Sequence, residues 1–242
     1  MRIAVVSDVH GNLPALEAIV ADFRHRGVNH VVNLGDSLSG PLLPKETAQY
    51  LMAQEWIHLA GNHERQILNL SENSGESDKY AHSQLSASEL EWIASLPFVR
   101  KFNSDVLLCH GTPTSDTVCL LQTAEQNADP ADIAARLGDV DASLILCGHT
   151  HVPRSVRHGH TLIVNPGSAG HPAFSDDYPY PHTVASGSPD ARYAIVEQRQ
   201  GTWLPALLSV PYDNKSMARL ARMRGRMDWE CALLTGYMTS RI

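Results

Sequence analysis

Several things are scarce in this chain, and each scarcity excludes a class of protein. Its four cysteines, Cys109, Cys119, Cys147 and Cys231, are scattered over 242 residues without a CxxC pair. That spacing suggests neither a zinc knuckle nor a disulfide framework, and reduced thiols fit a cytosolic address. No apolar run approaches the about 18 residues needed to cross a bilayer, and residues 3–6 are too short for the apolar centre of a signal peptide. A cytoplasmic protein with no membrane partner is therefore expected. Basic residues are in deficit, 19 Lys and Arg against 26 Asp and Glu for a formal charge of -7, so a broad phosphate-binding surface for nucleic acid is not expected. The most cationic stretch, Arg219, Arg222, Arg224 and Arg226, reads as a solvated helix face. Phe and Trp number only 4 each, whereas histidine reaches 13, and histidine is the commonest metal ligand and titrates nearest neutral pH. The 43% apolar content is enough for a sizeable core and excludes disorder.

The first 35 residues read as strand, helix, strand. Residues 2–7 are a β-branched apolar run, Asn12 is a candidate helix cap with Pro14 in the first turn, Leu16, Ile19, Val20 and Phe23 recur at helical spacing, and Gly27 stops the helix. With a strand at 30–34, this is a parallel βαβ unit. Further helices are expected at 45–53, near Glu64, from the Ser86/Glu89 capping box through Leu96, and at 130–137, with strands at 56–59, 106–109 and 144–147. Residues 71–79 hold no apolar side chain and read as a surface loop. After residue 152 hairpins are expected, interrupted by a long loop at 166–189. The tail from Asp213 reads as one or two helices. One domain over 1–242 is the economical organisation, with a motif core at 1–200 and a helical extension at about 212–242.

Five polar clusters each begin where a buried strand ends: Asp8-Val9-His10, Gly35-Asp36, Gly61-Asn62-His63, His110-Gly111 and Gly148-His149-Thr150-His151. Ligands of open α/β sheets gather at those carboxyl ends. Singly, each cluster has an ordinary explanation, since Asp and Asn form turns and caps and isolated histidines are often structural. Jointly, Asp8, His10, Asp36, Asn62, His110, His149 and His151 make a nitrogen and oxygen donor set of seven, more than the three or four of a single tetrahedral zinc. Two metals fit better, with a carboxylate between them. Mixed imidazole and carboxylate donors suit Mn, Fe, Zn, Co or Ni better than calcium. Cys109 and Cys147, beside these clusters but within apolar strands, read as core residues.

The ordered set Asp8-x-His10, Gly35-Asp36, Gly61-Asn62-His63-Glu64, His110 and Gly148-His149-Thr150-His151, with the flanking SDVHGN, HGTP and NPGS segments, resembles the calcineurin-like metallophosphoesterase superfamily, specifically its small bacterial and archaeal phosphodiesterase-like branch. The resemblance implies an α/β fold, a four-layer α/β/β/α sandwich of two mixed β-sheets flanked by helices. It implies a first metal on Asp8, His10, Asp36 and His151 and a second on Asp36, Asn62, His110 and His149, bridged by Asp36, with Mn foremost. A metal-bridging hydroxide would attack a phosphodiester or nucleotide, and His63 would protonate the leaving oxygen. The rival readings are a protein or small-molecule phosphomonoesterase and a non-catalytic metal-dependent scaffold. Ser39 and Gly40 stand where the protein-phosphatase branch carries Asp and Arg, which weakens the phosphoprotein reading and leaves the partner of His63 open. Glu64 either supplies that partner or caps its helix. Arg65 either reaches substrate or is an exposed helix residue. His171 and His182 either line a substrate pocket or are ordinary loop residues, and Asn12 stands near the site or is only a cap.

Overall fold

A computed structural model describes residues 1–124, 126–177 and 180–238. The first sheet has the order β12-β11-β1-β2-β3, built from β1 (Arg2–Val6), β2 (His30–Asn33), β3 (Ile57–His58), β11 (Ala191–Arg199) and β12 (Thr202–Val210). Its three N-terminal strands run parallel, and β11 and β12 add antiparallel neighbours. The second sheet has the order β4-β5-β6-β8-β7, from β4 (Val99–Lys101), β5 (Val106–Cys109), β6 (Leu144–Leu146), β7 (Arg154–His158) and β8 (Thr161–Asn165). Here β5, β6 and β8 are parallel, with β4 and β7 antiparallel at the edges.

Residue alternation within the strands assigns the layers. Ile3 and Val5 of the first sheet pack with Val106, Leu108, Leu144 and Leu146 of the second, forming the seam between them. On the opposite face of the first sheet, Ala4 and Val6 meet Leu16, Ile19 and Phe23 of α1 (Leu13–His25). The outer face of the second sheet, Leu107, Cys109, Ile145 and Ile163, meets Ile133 and Leu137 of α6 (Pro130–Leu137). The result is the expected four-layer sandwich, and because both faces of each parallel strand are covered, those strands read as unbroken apolar runs. All four cysteines are free thiols, and burial pushes Cys109 up to about 12, so it is a neutral core residue.

Six further helices are described. They are α2 (Pro44–Met52), α3 (Asn62–Leu68), α4 (Glu76–Gln84), α5 (Ala87–Ser95), α7 (Asn214–Met223) and α8 (Met227–Thr235). The last two pack on Leu42 through Met217, Ala221, Trp229 and Leu233. No described helix is long and apolar enough to cross a membrane.

Three expectations are corrected. Residues 71–79 are not all surface loop, because α4 begins at Glu76 and buries Asp78 and Ala81; a polar side chain with a buried partner is invisible to an apolar pattern. The 166–189 loop contains a two-stranded sheet of β9 (Ala173–Asp176) and β10 (His182–Ala185). The arginine run is not a uniformly solvated face. Arg224 donates to the Pro41 and Leu42 carbonyls and lies over the Tyr80 ring, while Arg226 turns inward.

His58 in β3 has a thermodynamic consequence. It is buried, with its ring stacked on Trp56 at 5.9 Å and edge-on to Trp92 at 5.6 Å, and burial pushes it down from 6.5 to about 4. As pH falls from 6.5 towards 4 the unfolded chain binds this proton and the folded chain does not, so stability falls across that window by up to about 3 kcal/mol and levels off below it. His58→Phe is expected to remove this part of the acid loss. Urea unfolding midpoints for both proteins between pH 7 and 4 check it, and parallel curves would contradict it.

Candidate metal centre

The five clusters meet where the two sheets come together, and the backbone shows how. Among the described residues six non-glycine residues have positive φ, and five of them are predicted ligands: Asp8 (55°), His10 (52°), Asp36 (52°), His149 (70°) and His151 (57°). Side chains adopt this left-handed conformation at a cost, and such residues cluster at functional sites. Each strand end therefore turns abruptly and projects its side chain beyond the sheet. The loops are fastened to each other by Asp8 N–H to Gly35 O (3.0 Å), His10 N–H to Asp36 O (3.0 Å) and, across the seam, Gly170 N–H to Asp8 O (3.1 Å).

Glu64 and Gly61 tighten the arrangement. The Glu64 carboxylate is fully buried and accepts the backbone N–H groups of Asp36 (2.8 Å), Ser37 (2.8 Å) and Gly61 (2.7 Å). It both caps α3 and clamps the loop after β2, and it does not contact His63 through a hydrogen bond. At Gly61 any Cβ would overlap Asp36 Oδ1, so glycine is required by close approach.

Four histidines are oriented by main-chain oxygens. His10 Nδ1 donates to Ser39 O (2.7 Å), His110 Nδ1 to Leu34 O (2.8 Å), His151 Nδ1 to His171 O (2.8 Å) and His149 Nε2 to Thr117 O (3.0 Å). A carbonyl only accepts, so each ring carries a proton on the outer nitrogen and turns its other nitrogen inward. His10 Nε2 and His151 Nε2 lie 3.1 Å apart. Two lone pairs at that separation repel, and a cation between or beside them removes the conflict.

The remaining donors tell the same story. Asn62 Oδ1 is buried without a hydrogen-bond partner, an arrangement proteins avoid unless an ion or water completes it, while His110 Nε2 lies 3.0 Å from Asp36 Oδ2 and His151 Nε2 3.5 Å from Asp8 Oδ1. Donor atoms of Asp8, His10 and Asp36 fall within 4.8 Å of one another, as do those of Asp36, His110 and His149, and those of His10, His151 and His171. Asp36 belongs to two of the groups. Burial favours the neutral carboxyl at Asp36, but the imidazoles of His110 and His63 hold it well below the usual range. Burial pushes His10 down to about 3 and His149 down to about 4. His110 goes the other way: burial would lower it, but Asp36 beside it pushes it up to about 10, and a cation at Asp36 would displace that proton. Carboxylates beside imidazoles are the donor set of a transition-metal site, so the residues fit divalent ions.

His63 stands beside this centre and lines a cavity of about 400 Å³ that opens over it. Its backbone N–H donates to Asp36 Oδ1 (2.9 Å), and its Nδ1 bonds Asp78 Oδ1 at 2.8 Å. Asp78 is the functional candidate that sequence reasoning missed. Its signal was a weak helical pattern, with Ala81 and Leu85 following it on α4 and after. Burial alone would lower His63, but Asp36 and the Asp78 hydrogen bond push it up to about 9. His171 and His182 also line the cavity. Arg65 and Asn12 do not. Arg65 is exposed in a bidentate pair with Asp116 (2.7 and 2.9 Å). Asn12 caps α1 and donates to Gly170 O and Tyr212 Oη, both at 2.9 Å, fastening the 170 loop.

A family model described as the calcineurin-like phosphoesterase superfamily domain matches residues 1–186. The chain belongs to the calcineurin-like phosphoesterase superfamily. Within similar proteins, an uncharacterized protein of Methanocaldococcus jannaschii is 27% identical over 195 residues, 70% of this chain and 76% of that one. A metallophosphoesterase from Sphaerobacter thermophilus superposes with a TM-score of 0.77 at 25% identity, covering 98% of this chain and 100% of its own. A hypothetical protein from Pyrococcus horikoshii shares the fold, with a TM-score of 0.74 at 17% identity over 98% and 99% of the two chains. Superfamily membership and the His/Asp clusters together make this a metal-binding phosphoesterase domain.

Because Gly61 admits Asp36 to its place, Gly61→Ala is expected to weaken Mn²⁺ binding at least roughly tenfold, the scale of lost ligand support, with the circular dichroism spectrum retained. Calorimetric Mn²⁺ titration reads the effect, and an unchanged affinity would show that Asp36 is positioned otherwise.

Proposed function

We propose that this phosphoesterase hydrolyses its substrates with two divalent transition-metal ions, manganese foremost, and favours phosphodiesters or nucleotides. The observation that carries the reading is the place of Asp36 in two donor groups at once. Asp8, His10, Asp36 and His151 would hold one ion, and Asp36, Asn62, His110 and His149 the other. Such ions, when bound, supply Lewis-acid charge to phosphoryl oxygens and make water nucleophilic at neutral pH.

The chain's own residues perform the rest. His63 is the proton donor to the leaving oxygen. Asp78 takes its Nδ1, which leaves Nε2 as the nitrogen available to substrate in the cavity. The dyad thus has the logic of an imidazole oriented by a buried carboxylate, here delivered from α4. The preference for diesters is supported at Ser39 and Gly40. Ser39 O is occupied by His10, and a Cβ at Gly40 would run into His10 O and the Trp229 ring. No cationic side chain fits there to meet the second charge of a monoester dianion.

Bis(p-nitrophenyl) phosphate is expected to be hydrolysed in the presence of Mn²⁺ and Asp36→Asn to abolish turnover. Metal-loaded protein without turnover on any mono- or diester would overturn the reading. His63→Ala is expected to keep the metals and lose roughly 10²- to 10⁴-fold in rate, the range for a general acid; metal loss in that variant would contradict the role. Asp78→Asn is expected to cause a smaller loss with Mn²⁺ affinity unchanged and to shift the pH–rate profile, with partial recovery in Asp78→Glu. A profile and rate equal to those of the parent would remove Asp78 from the mechanism.

A further inference from the structure

The cavity beside the metal centre has two unlike sides. One consists of the ligand-type residues and His63. The other is a continuous wall of five rings drawn from the tail and the β9–β10 hairpin. Trp229 of α8 stacks on His171 with centroids 3.7 Å apart and planes 4° apart, and His171 stacks on Phe174 at 5.9 Å and 30°. Phe174 meets His182 edge-on at 5.6 Å, and His182 meets Tyr180 at 5.3 Å. All five line the cavity. The wall is joined to the centre itself, since Phe174 lies 4.7 Å from the His151 ring and His171 lies 5.3 Å from the His10 ring. In a chain with so few aromatic residues, this concentration at one site is informative.

Charge on the same cavity is equally one-sided. Among the described lining residues the only Arg or Lys is Arg226. Its Nε and Nη2 donate to the Asp228 carboxylate at 3.0 and 2.7 Å, and its Nη1 donates to Ser77 Oγ at 2.9 Å. Glu76, Asp78, Asp176 and Asp228 face the cavity as well. Among the described lining residues beyond the metal centre, then, no guanidinium or ammonium is free to meet a second phosphate, and the carboxylates disfavour a polyphosphate. An uncharged planar ring suits this space. Rings stack on aromatic faces, and the N–H groups of a heterocycle suit nearby carboxylates. The volume of about 400 Å³ is within the range of small-molecule pockets.

We propose that this wall receives the planar, uncharged ring of a substrate that carries a single phosphate, which makes nucleoside phosphoesters the substrate class of the site. The inference rests on the phosphoesterase reading above and deepens it.

The test compares adenosine 2′,3′-cyclic phosphate with methyl β-ribofuranoside 2′,3′-cyclic phosphate, which has the same reacting ring and no base, using Mn²⁺-loaded protein. Stacking of one base predicts a kcat/KM ratio of roughly tenfold to a hundredfold in favour of adenosine, falling towards one in Tyr180→Ala and in Phe174→Leu. Equal kcat/KM for the two esters in the parent protein would overturn the wall's role while leaving the hydrolase standing. A ratio undiminished in both variants would overturn it too. If neither ester is hydrolysed, turnover of bis(p-nitrophenyl) phosphate and other mono- and diesters decides the phosphoesterase reading, and calorimetric titration with adenosine decides the wall alone: binding weakened by Tyr180→Ala supports it, and no binding overturns it.

Discussion

Four imidazoles give one ring nitrogen each to a main-chain oxygen, and the character of the site follows from that. Were His10, His110, His149 and His151 free to rotate, their inner nitrogens would find water or one another. Held by Ser39, Leu34, Thr117 and His171, they keep their inner nitrogens turned towards Asp8 and Asp36. The carbonyls that hold them lie in other segments, so none of the four rings is oriented by its own segment. His151, for example, depends on the residue that also stacks on Trp229. The metal centre and the aromatic wall are therefore mechanically one structure.

Backbone strain and close approach are the means. Left-handed conformations at Asp8, Asp36 and His149 persist because neighbouring loops over-determine them. Glu64 contributes three of the restraining hydrogen bonds from a fully buried carboxylate, and a buried carboxylate with several N–H donors is worth keeping only where geometry must be exact to a fraction of an ångström. Ordinary sandwich packing, with its apolar seam between Val5 and Leu108, supplies the rigid base on which those loops stand.

Legibility from the sequence varied with the range of the interaction. The parallel strands announced themselves, because burial on both faces writes a continuous apolar run, and the five polar clusters stood out against those runs. α4 was obscured since its inward residue is Asp78, whose burial is compensated by His63 15 positions earlier. The β9–β10 hairpin was obscured for a similar reason. It lies in a segment rich in Pro, Ser and Gly, and its Phe174 ring packs on His171, which in turn stacks on Trp229 of α8. Arg226 looked solvated in one dimension, although Ser77 and Asp228 surround it in three.

What the amino-acid order determined by itself was the alternation of elements and the donor chemistry: aspartates, asparagine and histidines at strand ends, with glycines where loops must touch. Those features are local, resting on periodicities of two and 3.6 and on side-chain type. Only the tertiary structure decided which nitrogen of each histidine faces inward, that Asp78 rather than Glu64 holds His63, and that α8 walls the cavity. Each of these is a contact between residues far apart in the chain, made possible by the stacking of two sheets, and no local pattern encodes the distance between them.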